Sequence, residues 1–130
     1  MLAERYDCIL FDLDGVLYRG EEAVPAAPPT LAELRARSVR LVFLTNNSAR
    51  TPEQVADKLR AMGIAADPNE VVTSALATAD LLARRGGGRV FVIGEDGVRE
   101  ALAGAGLEIL EGEPEPADLG VPGFDGGATY

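Results

Sequence analysis

Apolar positions along this chain follow two rhythms. Cys8-Ile9-Leu10-Phe11, Arg40-Leu41-Val42-Phe43-Leu44 and Arg89-Val90-Phe91-Val92-Ile93-Gly94 are nearly unbroken apolar runs of strand length, the pattern of strands covered on both faces in a parallel sheet. Between them, apolar residues recur at helical spacing. Leu31 and Leu34 mark a short helix after Thr30, which follows a proline-rich connector from Glu21 to Pro29 and should end near Ser38. Val55, Leu59 and Met62 mark a second helix with a strong start signal: Thr51 as N-cap, Pro52 at the first helical position and Gln54 completing a capping box. Gly63 stands where its C-terminal cap belongs. Asp67-Pro68-Asn69 reads as a turn, and Val71-Val72 is long enough only for an edge. A helix through Leu76, Ala79 and Leu82, capped by Thr73 or Ser74, is stopped by Gly86-Gly87-Gly88. A last helix through Val98, Ala101 and Leu102 ends at Gly104 and Gly106, and Leu107 to Leu110 is a fourth strand. Glu111 to Pro116 reads as a solvated loop. Asp118 to Phe124 is an edge strand or irregular, because Gly120 and Pro122 interrupt it and proline cannot donate to a central ladder. Strand, helix, strand in alternation predicts an α/β fold with right-handed crossovers that set successive parallel strands side by side.

Composition narrows this picture. A length of 130 residues and 47% hydrophobic content with few aromatics suit one domain with an Ala/Val/Leu core and exclude a disordered chain. There are 21 acids against 12 bases, a net charge of −9 and no histidine, so no basic surface draws nucleic acid or anionic lipid. The single Cys8 makes no internal disulfide and reads as a small packing residue. The charged N-terminal stretch and the lack of a long apolar run give no sign of a leader or membrane span, so the expected location is the cytoplasm.

The candidate chemistry lies where the first apolar run meets Asp12-Leu13-Asp14-Gly15. Strand side chains alternate, so Asp12 and Asp14 start on one side, and Gly15 lets the backbone turn away. Two carboxylates so close repel unless a cation compensates, which implies a hard ion with oxygen ligands, most simply magnesium. The negative chain would also repel an anionic substrate, a second reason to expect a local cation and aimed N–H groups. Taken alone, the acids could merely cap a turn, and Asn46-Asn47-Ser48 could be a turn leading to the helix at Thr51.

Asp12-Leu13-Asp14-Gly15-Val16-Leu17 resembles the first motif of the haloacid-dehalogenase-like hydrolases, and Leu44-Thr45-Asn46-Asn47-Ser48 resembles their second. Together they are similar to the branch of NagD-like and 4-nitrophenylphosphatase-like phosphatases, and the likeness covers essentially the whole chain. It implies a Rossmann-like, doubly wound parallel sheet, here incomplete and without its cap domain. Residues 1–125 would be the N-terminal part of that core and 126–130 the start of the cap insertion. It implies a magnesium-dependent phosphomonoester hydrolase acting on a small phosphorylated metabolite, a sugar phosphate or nucleotide. Asp12 would be the nucleophile and Asp14 the group that protonates the leaving oxygen and then activates water. Both would hold Mg2+, Asp14 through its main-chain carbonyl, while Thr45, Asn46 and Asn47 would bind the phosphoryl oxygens. The family's lysine and its later acidic cluster would lie beyond Tyr130, and Lys58, mid-helix and out of order, reads as a surface residue. A chain lacking them would be impaired or inactive and would expose apolar surface through which it could self-associate. The competing reading is a non-catalytic phosphate- or magnesium-binding module completed by a partner. A phosphoacceptor receiver domain ranks behind both, since it leaves Thr45-Asn46-Asn47 unexplained.

Overall fold

The computed structural model describes residues 4–111 and, in backbone only, 119–122. The expected loop from 112 to 116 and the segment 126–130 lie outside the described residues. The chain forms two compact units, one of residues 1–45 and 52–72, the other of residues 46–51 and 73–130.

In the first unit, β1 (Cys8–Asp12) is followed by a hairpin of β2 (Tyr18–Arg19) and β3 (Glu22–Ala23), then α1 (Ala27–Ala36), β4 (Arg40–Thr45) and α2 (Pro52–Ala61). β1 and β4 pair in parallel with Phe11 opposite Phe43 and Asp12 opposite Leu44, and β5 (Val71–Thr73) lies on the far side of β4. The hairpin stands where the sequence suggests only a connector, and α1 begins earlier than Thr30. Pro28 and Pro29 sit inside its first turn, where a missing N–H leaves no helical bond unmade, so the prolines open the helix rather than precede it. Leu31 and Leu34 point to the core as their spacing requires. α2 starts at Pro52, and Val55, Ala56 and Leu59 form its buried face. It ends in a Schellman-type cap: Gly63 takes φ 82°, its N–H donates to the Arg60 carbonyl at 3.0 Å, and that of Ile64 reaches the Leu59 carbonyl at 3.0 Å. The core gathers Leu13, Leu41, Phe43, Leu59 and Ile64, each at most 1% exposed. Burying each such side chain stabilises the fold by about 1.5–3 kcal/mol. On the other side of β1 no described strand pairs, and Leu10 is 61% exposed.

A polar clamp closes this unit. The Arg35 guanidinium donates to both Glu70 carboxylate oxygens (2.8 and 2.7 Å) and to the Ala65 carbonyl (2.7 Å), while Glu70 also accepts the Asp67 N–H at 2.9 Å. The Arg35 hydrogen bonds, aided by the Asp67 N–H, hold the Glu70 carboxyl below its ordinary value against the opposing effect of partial burial. A depressed carboxylate contributes stability that is present above its unfolded value, about 4.3, and is lost as pH falls through the lower folded value. Glu70→Gln is therefore expected to lower the urea midpoint at pH 7, by at most about 1 kcal/mol since both side chains still touch water. The gap to wild type should close in acid. A gap that persists unchanged at pH 3 would contradict this linkage.

In the second unit, α3 (Ser74–Arg84), β6 (Arg89–Ile93), α4 (Asp96–Gly104), β7 (Glu108–Leu110) and β8 (Leu119–Pro122) follow in order. β6 is central, with β7 and β8 parallel on either side, so among the described strands β8 lies at the edge, where its proline costs no central ladder. Thr73 caps α3, its hydroxyl accepting the Leu76 N–H at 3.1 Å. Ala75 and Ala79 of α3, Val98 and Leu102 of α4, and Val90 and Val92 of β6 make the core. Each unit thus carries a three-stranded sheet packed with helices, an α/β architecture with Rossmann-like parallel pairing. None of the described helices is long and apolar enough to cross a membrane.

Candidate active site at the end of the first strand

The strand β1 delivers Asp12 at its last position, and a tight turn takes over at once. Leu13 is fully buried, and its carbonyl accepts the N–H groups of Val16 (3.1 Å), Leu17 (2.9 Å) and Tyr18 (3.4 Å). Gly15 takes φ 81°, a left-handed conformation costly for any residue with a Cβ, and its N–H donates to the Tyr18 carbonyl at 2.8 Å. Leu17 and Tyr18 are buried beneath the turn, while Asp12, Asp14, Gly15 and Val16 face solvent. The alternation read from the sequence thus survives past the strand's end: the apolar neighbours go in and both acids come out. One Asp12 oxygen accepts the Leu13 N–H at 2.8 Å, which fixes its rotamer.

Thr45 is the last residue of β4, one beyond the residue opposite Asp12, and is 9% exposed. Because the strands are parallel, Asp12, the Asp14 turn and Thr45 share the C-terminal edge of one sheet, where open α/β sheets bind ligands. Asn46 and Asn47 follow Thr45 in the chain but belong to the second unit. There the Asn47 side chain accepts the Ala49 N–H at 2.9 Å, a local Asx turn, and the Ser74 hydroxyl donates to the Asn46 carbonyl at 3.1 Å. So the turn reading of this segment holds for the Asn47 side chain.

Lys58 is not the surface residue its mid-helix position suggests. Its side chain is 15% exposed, with the ammonium 4.4 Å from the centre of the Tyr18 ring and 3.3 Å from a Glu21 carboxylate oxygen. What covers it is the hairpin of β2 and β3, and that element leaves only a faint trace in the sequence. Gly20, at φ 59° between Arg19 and Glu22, is the available signal.

Asp12 and Asp14 offer hard oxygen donors with no competing sulfur or imidazole, a donor set suited to magnesium. Among the described residues, no group of three or more acids, histidines or cysteines could enclose an ion. Magnesium keeps several waters and often takes only one or two carboxylates together with substrate phosphate, so a two-acid site fits it.

Comparison with known proteins gives a consistent result. Residues 9–108 match the family model described as haloacid dehalogenase-like hydrolase. An acid sugar phosphatase of Staphylococcus aureus is 42% identical over 128 residues, covering 98% of this chain and 49% of that protein. A crystal structure of a double mutant thermostable NPPase from Geobacillus stearothermophilus superimposes with a TM-score of 0.86 at 39% identity, over 96% of this chain and 48% of the other. A glycerol phosphate phosphatase from Mycobacterium tuberculosis, in complex with magnesium, gives a TM-score of 0.90 at 32% identity, over 98% and 39%. The chain spans about half the length of the curated relatives it matches, 49% of the first. Motifs, fold and the extent of these matches agree: the chain belongs to the haloacid dehalogenase-like hydrolases, in the company of their sugar-phosphate and nitrophenyl-phosphate phosphatases.

Proposed function

We propose that this chain carries the nucleophile-bearing part of a magnesium-dependent phosphomonoesterase that acts on a small phosphorylated metabolite such as a sugar phosphate. The observation that supports it most is the arrangement at one sheet edge: Asp12 ending β1, Asp14 exposed on the turn after it, and Thr45 ending the adjacent parallel β4. An Asp12 carboxylate oxygen attacks phosphorus and the bond from phosphorus to the ester oxygen breaks. Asp14 gives its proton to the departing alkoxide, so an alcohol leaves and an aspartyl phosphate remains. A water then attacks the same phosphorus, Asp14 takes back a proton, and inorganic phosphate departs with Asp12 restored. The Thr45 hydroxyl and the N–H groups at Asn46 and Asn47 stabilise charge on the non-bridging oxygens. The Asp12 carboxylate and the Asp14 main-chain carbonyl would hold Mg2+, which supplies charge neutralisation among acids and phosphate. The substrate class follows the relatives' names, acid sugar phosphatase and glycerol phosphate phosphatase. Residues 1–125 would form the N-terminal part of the catalytic core.

The test is phosphate release from 4-nitrophenyl phosphate by the metal-stripped whole phosphomonoesterase of which this chain is the proposed part. Adding magnesium is expected to raise the rate at least about tenfold. A rate indifferent to magnesium and to chelator would reject the metal assignment.

A further inference from the structure

We infer that Lys58 is a positioning residue for the Asp14 turn, acting through Tyr18. This rests on the phosphatase reading of Asp14, but its structural half stands on separate observations. Lys58 sits on α2 between the fully buried Ala56 and Leu59, so its Cα is anchored in the core. Its ammonium lies 4.4 Å from the Tyr18 ring centre and 3.3 Å from Glu21, two residues of the same hairpin, with the side chain 15% exposed. Shielding from water strengthens a cation over an aromatic face. Tyr18 in turn is 5% exposed, and its backbone is tied to both sides of the acidic turn. Its carbonyl accepts the Gly15 N–H at 2.8 Å, its N–H donates to the Leu13 carbonyl at 3.4 Å, and Asp14 and Tyr18 form a β-bridge.

The chain of contacts therefore runs from the helix through the lysine to the aromatic ring and on to the backbone that carries Asp14. A turn bearing two like charges at an exposed sheet edge has every reason to wander. A cation paired with both the Tyr18 ring and the Glu21 carboxylate restrains it through Tyr18 rather than through Asp12 or Asp14. Proton transfer depends steeply on placement, so a loosened Asp14 loses rate more than substrate affinity.

The experiment pairs Lys58→Met, which keeps the apolar stem, with Lys58→Arg, which keeps the charge. In Lys58→Met, amide hydrogen exchange at Gly15, Leu17 and Val24 is expected to rise about tenfold while the β4 amides stay as in wild type. In the whole phosphomonoesterase of which this chain is the proposed part, kcat on 4-nitrophenyl phosphate should fall about tenfold with KM within about twofold, and Lys58→Arg should recover both. Exchange unchanged at Gly15 and Leu17, or rising equally across β4, overturns the clamp. Faster exchange with kcat intact overturns the positioning role. Turnover that survives Asp12→Asn would reject the nucleophile assignment and leave the exchange comparison to decide the clamp.

Discussion

In the whole phosphomonoesterase of which this chain is the proposed part, Asp12→Asn is expected to lower phosphate release from 4-nitrophenyl phosphate by about a thousandfold or more, with the fold intact. The two side chains are nearly isosteric, and the amide oxygen can still accept the Leu13 N–H that now meets the carboxylate at 2.8 Å. Asp12 is exposed, so the exchange buries no unpaired group and opens no cavity, and removing one of two neighbouring negative charges relieves repulsion at the turn. Stability should therefore hold or rise. The chemistry has no such tolerance, because a neutral amide oxygen is a poor nucleophile towards phosphorus and a poor magnesium ligand. Losing the covalent route leaves only direct attack by water near the remaining phosphoryl-binding groups. The discriminating measurement sets the rate beside a urea midpoint for the same preparation. A variant that keeps its midpoint and also keeps its rate within about tenfold would remove Asp12 from the nucleophile's role.

Much of this site is legible in the residues without any coordinates, for a physical reason. An apolar strand that ends in Asp-x-Asp-Gly carries its own geometry: alternation puts both acids on one side, and glycine permits the left-handed turn. Thr45 at the end of the next apolar run becomes its neighbour through parallel pairing, which strand-helix-strand order predicts. What stays hidden depends on contacts between distant residues. The β2 and β3 hairpin is too short for a periodic signal, and the prolines after it suggest a connector. Lys58 then looks solvated, because nothing local to α2 announces Tyr18 above it. The division of the second motif is hidden too. Thr45 closes a strand of one unit, while Asn46 and Asn47 belong to the other, with Asn46 held by Ser74, which no local propensity reveals.

That anchoring sets up the largest stability effect expected from a single methyl group. Gly97→Ala should destabilise the second unit by about 1–3 kcal/mol, although helix propensity alone favours alanine by about 1 kcal/mol. Gly97 lies in the first turn of α4, with its N–H donating to the Ala49 carbonyl at 3.1 Å. A Cβ there would overlap the Ser48 carbonyl oxygen and stand 2.5 Å from that of Arg50. Both are backbone atoms, so no side-chain rotation relieves the overlap. Either α4 or the 46–51 segment must move, straining the bond to Ala49 and shifting the segment that bears Asn46 and Asn47. Gly104, at the other end of the same helix, has nothing within 4 Å of the place a methyl group would take and supplies the control. Gly104→Ala should leave the urea midpoint unchanged or raise it, because only propensity is in play. Opposite signs for the two substitutions on one helix would place the cost in the contact with the loop. A Gly97→Ala protein as stable as wild type would mean that the segment after Thr45 is not held in place by α4.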